Sequence, residues 1–542
     1  MTDQVMHYFD RACRRKGNQP ALIGADGEVW SFLELEARVD WMAAGLRKEG
    51  IGAGDRVIVM IPMSLELYQV LLALLKIGAV AVFVDPWVGL RQIAAFAAYG
   101  EPKGFIGVPK SHLIRLFDRR LRQLPVTLST GRVVLGFPAR QSLKKVERYF
   151  EAVPIHDAGP EETALITFTS GSSGIPKGAD RTHRFLAAQH EALKRTFPYE
   201  EDDVDMPMFP VFSLNNLATG ITTVIPDMNF REVAAVDGAR ILEQITTHSV
   251  TTLTGSPPFF DALVEAIAAS GAEKKRPPIR RILTGGAPVK DGQLRRWKEV
   301  LGDLEILVVY GSTEAEPVAH LSAQERLRLA EEKKSAGWKQ VGFCVGRPVS
   351  VIETKRIRIQ KGPVSLGARG WEPLLARPEE PGELVVAGDH VCARYYRNEE
   401  ATKENKIIDA DGRVWHRMGD TGLFDDQGRF WLTGRVYSTI RRGSESFQAQ
   451  VVEEVARGER ENLQVAALEM GSPGAEQLWI VLYTSEPREE RTAEVEADLL
   501  AAGIRPDRIF WAKTSLPVDP RHNSKIDYRR LREELETTRR DQ

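Results

Sequence analysis

The chain has 542 residues, and its 73 Lys and Arg residues almost balance its 75 Asp and Glu residues. This length corresponds to about three or four domain-sized units, and a net charge of -2 provides no basic field for holding a nucleic acid backbone. With 43% hydrophobic and 27% charged residues, the composition is that of a globular protein, which excludes disordered, collagen-like and disulfide-scaffold classes.

The cysteine pattern and the N-terminal residues indicate a cytoplasmic protein with reduced thiols. Cys13, Cys344 and Cys392 are far apart and show no C-x-x-C spacing, so neither a zinc site nor a disulfide framework is predicted. The first residues lack the basic and apolar regions of a secretory signal. The most apolar stretch, Leu67–Val84, contains Lys76 and indicates a helix followed by a buried strand rather than a transmembrane segment.

Strands and helices alternate through the first two-thirds of the sequence. A strand predicted over Arg56–Ile61 is followed by a helix over Ser64–Lys76 and a second strand over Ala79–Val84. Three further strands, each running into a loop, are predicted over Thr163–Phe168, Ile279–Leu283 and Leu304–Tyr310. This alternation is typical of βαβ units around a parallel or mixed sheet, with the loops at strand ends available for ligands.

An arginine-containing amphipathic helix is predicted over His112–Leu124. At helical spacing one face carries apolar side chains and the other carries basic ones; these are Leu113, Phe117, Leu121 and Leu124, and Arg115, Arg119 and Arg122. Two interpretations stay open: a helix packed on the core with a solvated face, which the pattern favours, and a peripheral contact with an anionic membrane surface.

After about Pro348 the sequence changes to short strands and turns. Strands are predicted over Gly382–Ala387, Thr421–Asp425 and Arg429–Thr433, and the last two flank a turn. If that turn closes a hairpin, Asp420 and Arg435 come to the same open end. We therefore predict an α/β fold with a large N-terminal body of several subdomains and mixed sheets with a small β-rich region (residues 1–434), and a small α+β C-terminal domain (residues 435–542).

The strongest chemical signal is the segment Thr169-Ser-Gly-Ser-Ser-Gly-Ile-Pro-Lys-Gly178, which directly follows a predicted strand. Its glycines let backbone N–H groups approach an anion, its hydroxyls can donate hydrogen bonds, and its lysine adds positive charge. A flexible linker is disfavoured because the segment follows a buried strand, and the ending is not that of a Walker A loop. The candidate anion-binding residues are Thr169, Ser170, Gly171, Ser172, Ser173, Gly174 and Lys177.

This loop resembles the phosphate-binding signature of the AMP-forming adenylating enzymes, which include acyl-CoA synthetases, peptide-synthetase adenylation domains and luciferases. Further motifs match that superfamily in the same order along the chain. They are the adenine-side loop Gly285-Gly286-Ala287-Pro288, the motif Tyr310-Gly311-Ser312-Thr313-Glu314, the ribose-binding segment Trp415–Asp420, the hinge-proximal Arg435, and Lys525 at the position of the catalytic lysine.

The resemblance implies ATP and Mg²⁺ as cofactors and a carboxylic acid as substrate. A carboxylate is a poor electrophile, and transfer to the α-phosphate of ATP supplies AMP as a leaving group. The Gly/Ser loop would hold the β- and γ-phosphates, Glu314 would bind Mg²⁺, and Tyr310 would offer an aromatic face to adenine. Thr313 would place a hydroxyl near the α-phosphate.

Asp420 would accept hydrogen bonds from the ribose hydroxyls, near Arg435. The resemblance implies that Lys525 bridges the α-phosphate and the carboxylate as negative charge develops. It also implies a mobile C-terminal domain that delivers this lysine on closure.

Several positions depart from the common pattern of acyl-CoA synthetases. Pro210 stands where many have histidine, Ser438 occupies the hinge position, and the loop Arg442–Gln448 and the segment before Lys525 are unusual. These features resemble the β-lactone synthetase branch of bacterial long-chain olefin pathways. That branch implies a β-hydroxy acid substrate whose own hydroxyl closes the adenylate to a β-lactone, and it implies further enzymes of a fatty-acid-derived pathway as partners.

Two other functions remain open: a fatty-acid–CoA ligase that shares the first half-reaction, and an inactive nucleotide-binding homologue. The inactive homologue is disfavoured because Glu314, Asp420, Arg435 and Lys525 are all present. The apolar segment Pro210–Gly220 is equally compatible with a wall for an acyl chain and with a buried helix.

Overall fold

In a computed structural model, the chain is described over residues 4–84, 90–131, 139–169, 177–271, 277–335, 342–443, 445–458, 460, 462–472, 474–485, 491–518 and 526–540. The elements up to residue 182 are α1 (Val5–Lys16), β1 (Pro20–Ile23), β2 (Val29–Ser31), α2 (Phe32–Lys48), β3 (Arg56–Met60), α3 (Leu65–Lys76), β4 (Val80–Phe83), α4 (Leu90–Tyr99), β5 (Gly104–Gly107), a 3₁₀ helix (Pro109–Phe117), α5 (Arg119–Arg122), β6 (Val126–Ser129), β7 (Gln141–Ser142), α6 (Leu143–Val146), β8 (Thr163–Thr169) and β9 (Lys177–Thr182).

The middle of the chain continues the alternation of helices and strands. Its elements are α7 (His183–Thr196), β10 (Val204–Pro207), α8 (Pro210–Thr219), β11 (Thr222–Val224), a 3₁₀ helix (Val233–Ala235), α9 (Gly238–Thr247), β12 (Thr252–Gly255), α10 (Pro257–Ala269), β13 (Arg281–Thr284), α11 (Asp291–Leu301), β14 (Glu305–Ser312), β15 (Ala315–Ser322), α12 (Ala323–Ser335) and β16 (Phe343–Pro348).

Strands dominate the next part, before a last set of mixed elements. These are β17 (Glu353–Ile357), β18 (Gly382–Ala387), α13 (Glu399–Asn405), β19 (Lys406–Ile408), β20 (Val414–Phe424), β21 (Phe430–Arg435), a 3₁₀ helix (Val436–Ser438), β22 (Thr439–Arg442), β23 (Glu445–Gln448), α14 (Ala449–Arg457), β24 (Gln464–Met470), β25 (Gln477–Tyr483), α15 (Arg491–Ala501), β26 (Arg508–Trp511) and α16 (Tyr528–Arg540).

Two large sheets form the body of the molecule. One has seven strands in the order β7-β6-β5-β3-β4-β8-β9 and is parallel except for its last pair. The other has fourteen strands: thirteen follow the order β2-β1-β11-β10-β12-β13-β14-β15-β16-β21-β20-β18-β17, and β19 pairs with β20 beside that path. Its strands are parallel from β1 to β14 and antiparallel from β14 to β17. The alternation of strands and helices in the sequence therefore corresponds to parallel βαβ units, and the predicted α/β class is confirmed.

The C-terminal elements make separate small sheets. Strands β22 and β23 pair as a hairpin, and β24, β25 and β26 form a three-stranded sheet. Two apolar cores on this part of the chain are built only from residues between Ile440 and Leu535. Of the helices in the described ranges, none is long and apolar enough to cross a membrane.

The predicted helix after β3 is confirmed with almost the predicted bounds. Its N-terminus is set by Ser64, whose Oγ accepts a hydrogen bond from the Leu67 N–H at 3.3 Å. Strand β20 begins at Val414, seven residues earlier than predicted. The early part of β20 contains buried polar residues, which is why the sequence did not predict a strand there. Arg417 forms an ion pair with Glu383 of the neighbouring strand β18, so its charge has a partner within the sheet.

The single helix predicted over His112–Leu124 is wrong. The chain forms a 3₁₀ helix up to Phe117 and a separate short helix from Arg119, because the Asp118 carboxylate caps the second helix by accepting from the Arg120 and Leu121 N–H groups at 2.8 and 3.2 Å. The 3₁₀ winding also changes which side chains face the core: Arg115 is buried and Phe117 is exposed.

Candidate active site

A cavity of about 1150 Å³ lies where the two large sheets meet the C-terminal elements. Its wall combines a polar side with an apolar side. The polar side includes Lys177, Arg181, Thr313, Glu314, Glu404, His416 and Arg435. The apolar side includes Ile61, Met63, Leu71, Phe83, Leu186, Met208, Phe209, Phe212, Phe230 and Val233. One continuous space can therefore hold a charged group and an aliphatic chain.

Much of the Gly/Ser loop singled out in the sequence lies outside the described residues: Ser170, Gly171, Ser172, Ser173 and Gly174 all do. Its two ends are in place. Thr169 ends β8, and Lys177 begins β9 beside it in the antiparallel register. The Lys177 side chain is buried, lines the cavity and lies 3.4 Å from Glu404 Oε2.

Glycines at two strand ends bring backbone to the cavity wall. A Cβ on Gly285 would lie 2.6 Å from the Val309 carbonyl oxygen, and one on Gly311 would lie 2.8 Å from the Ala315 carbonyl oxygen. Only glycine fits these positions without a backbone shift. Gly286 also lines the cavity, whereas Ala287 and Pro288 are not among its wall residues.

The Glu314 carboxylate is buried at the cavity wall and held in place by its neighbours. The Tyr395 hydroxyl donates a hydrogen bond of 2.8 Å to Glu314 Oε1. Burial acts to raise the pKa of Glu314, but the Lys406 side chain and the hydrogen bond from the Tyr395 hydroxyl act in the opposite direction, and the pKa is lower than usual. The Glu314 carboxyl is therefore ionised at neutral pH.

The basic side chains next to Glu314, those of His416 and Lys406, differ in their charge. Burial lowers the pKa of His416 to about 3, so its ring is neutral at pH 7. Burial also lowers the pKa of Lys406, whose Nζ donates to the Cys392 carbonyl oxygen. The histidine is thus a neutral polar group in the cavity wall, and positive charge near the carboxylate comes from lysine.

The predicted meeting of Asp420 and Arg435 is confirmed. Strands β20 and β21 form the hairpin expected from the sequence, with Asp420 and Arg435 as register partners and Arg435 Nε 2.8 Å from Asp420 Oδ1. The Tyr310 hydroxyl donates to Asp420 Oδ2 at 2.7 Å. Asp420 raises the pKa of Arg435, while burial and then Asp420 raise the pKa of Tyr310.

Of these three residues only Arg435 is among the wall residues of the cavity. Tyr310 is buried behind the wall, with its ring 6.2 Å from that of Phe430. Stacking of Tyr310 on adenine therefore stays a prediction.

Four buried hydroxyls in the cavity wall find no hydrogen-bond partner within the described ranges. They belong to Thr167, Thr254, Thr284 and Ser312. Buried polar groups are normally paired. Unpaired hydroxyls that border a cavity are suited to a polar ligand rich in acceptors, such as a nucleotide. No group of three or more metal-binding side chains occurs in the described part of the chain.

The first turn of α8 lines the cavity, and the rest of that helix packs into the core. Pro210, Val211, Phe212 and Leu214 face the cavity, whereas Leu217 and Ala218 belong to the largest apolar core. The buried-helix interpretation is therefore correct for the later part of the segment, and an acyl-chain wall at its beginning stays a prediction.

The C-terminal helix closes one side of the cavity. Tyr528, Arg529, Arg532, Glu533 and Glu536 of α16 all line it. Lys525 lies outside the described residues, as do its neighbours from position 519. The two ends of that segment are joined by a backbone bridge between Val518 and Ile526, and Ile526 lies in the cavity wall.

Several residues of the site were missed in the sequence. Arg181 donates from its guanidinium to the Thr313 carbonyl oxygen at 2.7 Å, and Tyr395 holds Glu314. Arg417 and Glu383 form a buried ion pair at 2.7 Å. Arg417 and His416 belong to the segment Trp415–Asp420, so their place within a recognised motif could have identified them. Nothing in the sequence around Tyr395 distinguishes it from other tyrosines.

Comparisons with known proteins add to this geometry. The family model described as AMP-binding enzyme matches residues 9–396. The chain is 34% identical over 519 residues to an olefin beta-lactone synthetase from Xanthomonas campestris pv. campestris, covering 92% of this chain and 90% of that protein. It is 26% identical over 545 residues to a 4-chlorobenzoate–CoA ligase from an Arthrobacter species, covering 97% and 94%.

A solved structure shares the fold. The o-succinylbenzoate coenzyme A synthetase from Bacillus subtilis, in complex with ATP and a magnesium ion, superimposes with a TM-score of 0.74 at 19% identity. The match covers 98% of this chain and 99% of that chain.

Proposed function

The chain belongs to the AMP-binding enzyme family and is an AMP-forming adenylating enzyme, and on that premise we propose that it converts a long-chain β-hydroxy acid to a β-lactone. In the first step a carboxylate oxygen attacks the α-phosphorus of ATP and pyrophosphate leaves. In the second step the β-hydroxyl oxygen attacks the acyl carbonyl carbon, AMP leaves, and the hydroxyl proton is released.

The observation that carries this proposal is the single cavity with one polar and one apolar side. The charged side chains of Lys177, Glu314 and Arg435 face the same space as Met208 and Phe230. A carboxylic acid with an aliphatic chain can then place its carboxylate at the polar side and bury its chain at the apolar side. The 34% identity to an olefin beta-lactone synthetase supports the β-hydroxy acid and the lactone product.

For the triphosphate we assign the Gly/Ser loop and Lys177, and for adenine the loop from Gly285 to Pro288 with Tyr310. Thr313 and the neighbouring Ser312 would contact the α-phosphate. Asp420 and Arg435 would hold the ribose, since Asp420 keeps one further acceptor site on each oxygen beyond its present bonds. The unpaired hydroxyls of the wall support a nucleotide in this position.

Mg²⁺ fits the donor set at Glu314. A hard cation that binds phosphate oxygens and water needs only one or two carboxylates from the protein, and Glu314 is ionised at neutral pH. Bound there, the cation would neutralise the charge that builds up on the phosphates. Tyr395 orients the carboxylate through its hydroxyl.

Lactone closure needs no second substrate. A hydroxyl on the carbon β to the carboxylate is already tethered to the acyl group, and oriented intramolecular reactions reach effective molarities of about 10⁵–10⁸ M, part of which the strain of a four-membered ring offsets. A wall that positions both groups therefore suffices for the second step, and a CoA thiol is not required.

The decisive experiment incubates the protein with ATP, Mg²⁺ and a long-chain β-hydroxy acid, with and without CoA, and analyses the products by mass spectrometry. We expect β-lactone and AMP in equal amounts without CoA. The matched control is the alkanoic acid of the same length without the hydroxyl, from which no lactone can form.

Two results would reject the proposal. A thioester formed with CoA, and no lactone without it, would assign a fatty-acid–CoA ligase instead. Nucleotide binding without pyrophosphate release would assign an inactive homologue.

A further inference from the structure

The surface beside β5 carries apolar side chains that point into solvent. On the 3₁₀ helix Pro109–Phe117, Leu113 is 43% exposed, Leu116 is 50% exposed and Phe117 is 77% exposed. Leu113 and Leu116 are three residues apart, so in a 3₁₀ helix they lie above one another on one face. Three large exposed apolar side chains within five residues are more than the scattered ones usual on a protein surface.

Exposed basic side chains flank these apolar residues along the chain. Lys110, Arg119, Arg120 and Arg122 are all exposed. Asp118 is the only acidic residue between positions 109 and 124, and its carboxylate is occupied by the backbone of α5. We call the three apolar and four basic side chains together the basic apolar patch.

The patch is held in shape by buried contacts beneath it. The Arg115 guanidinium donates to the Leu121 carbonyl oxygen at 3.0 Å, which ties the 3₁₀ helix to α5. His112 Nε2 lies 3.0 Å from the Leu128 carbonyl oxygen of β6, and burial lowers the pKa of His112 to about 4. The patch is therefore preformed and not a loose loop.

The patch lies at the same edge of the seven-stranded sheet as the cavity. Strands β3, β4 and β5 are parallel, so their carboxyl ends share one edge. The 3₁₀ helix leaves the sheet from the carboxyl end of β5, while Ile61 and Phe83 line the cavity at the carboxyl ends of β3 and β4.

We propose that the basic apolar patch docks the protein on an anionic lipid surface. The apolar side chains would enter the boundary between headgroups and acyl chains, and the basic side chains would meet the negative headgroups. A protein partner is disfavoured because the seven side chains of the patch are few against the roughly 20–30 residues on each side of a specific protein interface. This proposal is independent of the product that the enzyme makes.

The test is co-sedimentation of the full-length protein with vesicles of phosphatidylcholine alone and of phosphatidylcholine mixed with phosphatidylglycerol. We expect binding to the anionic vesicles that weakens as salt is added. Each basic residue near such a surface strengthens binding about fivefold, so Arg119→Gln, Arg120→Gln and Arg122→Gln combined should weaken it about a hundredfold. The combined variant Leu113→Ser, Leu116→Ser and Phe117→Ser should also lose binding.

Ile408→Ser is the matched control, because Ile408 is 64% exposed on β19 and is outside the patch. It should bind vesicles as the wild type does. Pyrophosphate release with a water-soluble acid and the thermal midpoint show that each variant is folded. Equal sedimentation of the wild type and both patch variants would overturn the proposal, as would failure of the wild type to bind anionic vesicles. A patch variant that changes the oligomeric state instead would identify a protein interface.

Discussion

At the Glu314 carboxylate, a single hydroxyl can be removed without changing the ring that carries it. Tyr395→Phe deletes the hydrogen bond to Glu314 Oε1. A hydrogen bond to a charged group contributes about 1.5–3 kcal/mol, so we expect the Mg²⁺ concentration for half-maximal pyrophosphate release to rise by about tenfold to a hundredfold. Tyr396→Phe removes the neighbouring hydroxyl and should leave that concentration unchanged. An unaltered Mg²⁺ dependence in Tyr395→Phe would contradict a role for the Tyr395–Glu314 hydrogen bond in Mg²⁺ binding.

For individual residues, the sequence predicts those members of the polar side of the cavity that belong to recognisable motifs. Glu314 and Arg435 line the cavity as the motif order implies, and the Asp420–Arg435 pair follows from a recognisable turn. Tyr395 could not be found in the same way. Its segment pairs with Ala179 through Tyr395 and with Ala315, the neighbour of Glu314, through Val391, and such contacts between distant parts of the chain leave no local pattern.

At the scale of the elements, the buried carboxyl of Glu453 on α14 connects this helix to α16 through a hydrogen bond. The Tyr528 hydroxyl donates to Glu453 Oε1 at 2.7 Å, and the Ala467 N–H donates to the same oxygen at 3.0 Å. Burial raises the pKa of Glu453 from 4.5 to about 7 despite these bonds. Because α16 begins three residues after Lys525, this contact anchors the helix that follows the proposed catalytic lysine.

The raised pKa of Glu453 has a consequence for stability. Below pH 4.5 the carboxyl is protonated whether the protein is folded or not; between about 4.5 and about 7 only the unfolded chain loses the proton. The contribution of this group to stability is therefore present at low pH and is lost as the pH rises to about 7.

We expect Glu453→Gln, which keeps an uncharged acceptor, to flatten the fall of the thermal midpoint between pH 5 and pH 7 relative to the wild type. Glu496→Gln, at an exposed position on α15, should keep the wild-type slope. Parallel curves for Glu453→Gln and the wild type would show that this carboxyl does not titrate in that range.

Element prediction from the sequence succeeded where apolar periodicity and a cap agree, as in α3. It failed over His112–Leu124 because a four-residue spacing was assumed. The acid at position 118 caps a new helix, and the preceding 3₁₀ turn repeats every three residues, so a different set of side chains reaches the core.

For the whole molecule, we propose that residues 435–542 move against residues 1–434. The C-terminal part buries its own two apolar cores, as an independent domain would. Polar contacts with the body include the Thr421 hydroxyl donating to Gln448 Oε1 at 2.6 Å and Arg441 donating to the Ile359 carbonyl oxygen at 3.2 Å. A motion of this kind would bring Lys525 to the cavity and take it away again.

Lys525→Ala should then lower pyrophosphate release by about 10²–10³-fold, the range for removing one group that stabilises developing negative charge. ATP binding, measured by calorimetry, should remain. Lys513→Ala removes an exposed lysine from the same part of the chain and should have no effect. Turnover of Lys525→Ala at the wild-type rate would exclude the lysine from the reaction.

The free cysteines make that motion measurable. Cys13, Cys344 and Cys392 are buried without disulfides, and burial raises the pKa of all three thiols, that of Cys344 to about 11. A maleimide reacts with the thiolate, which is scarce at such sites at neutral pH. Spectroscopic labels will therefore attach selectively to cysteines introduced at exposed positions on either side of residue 435. Distances between the two parts can be followed during turnover in a chain that keeps all of its native thiols.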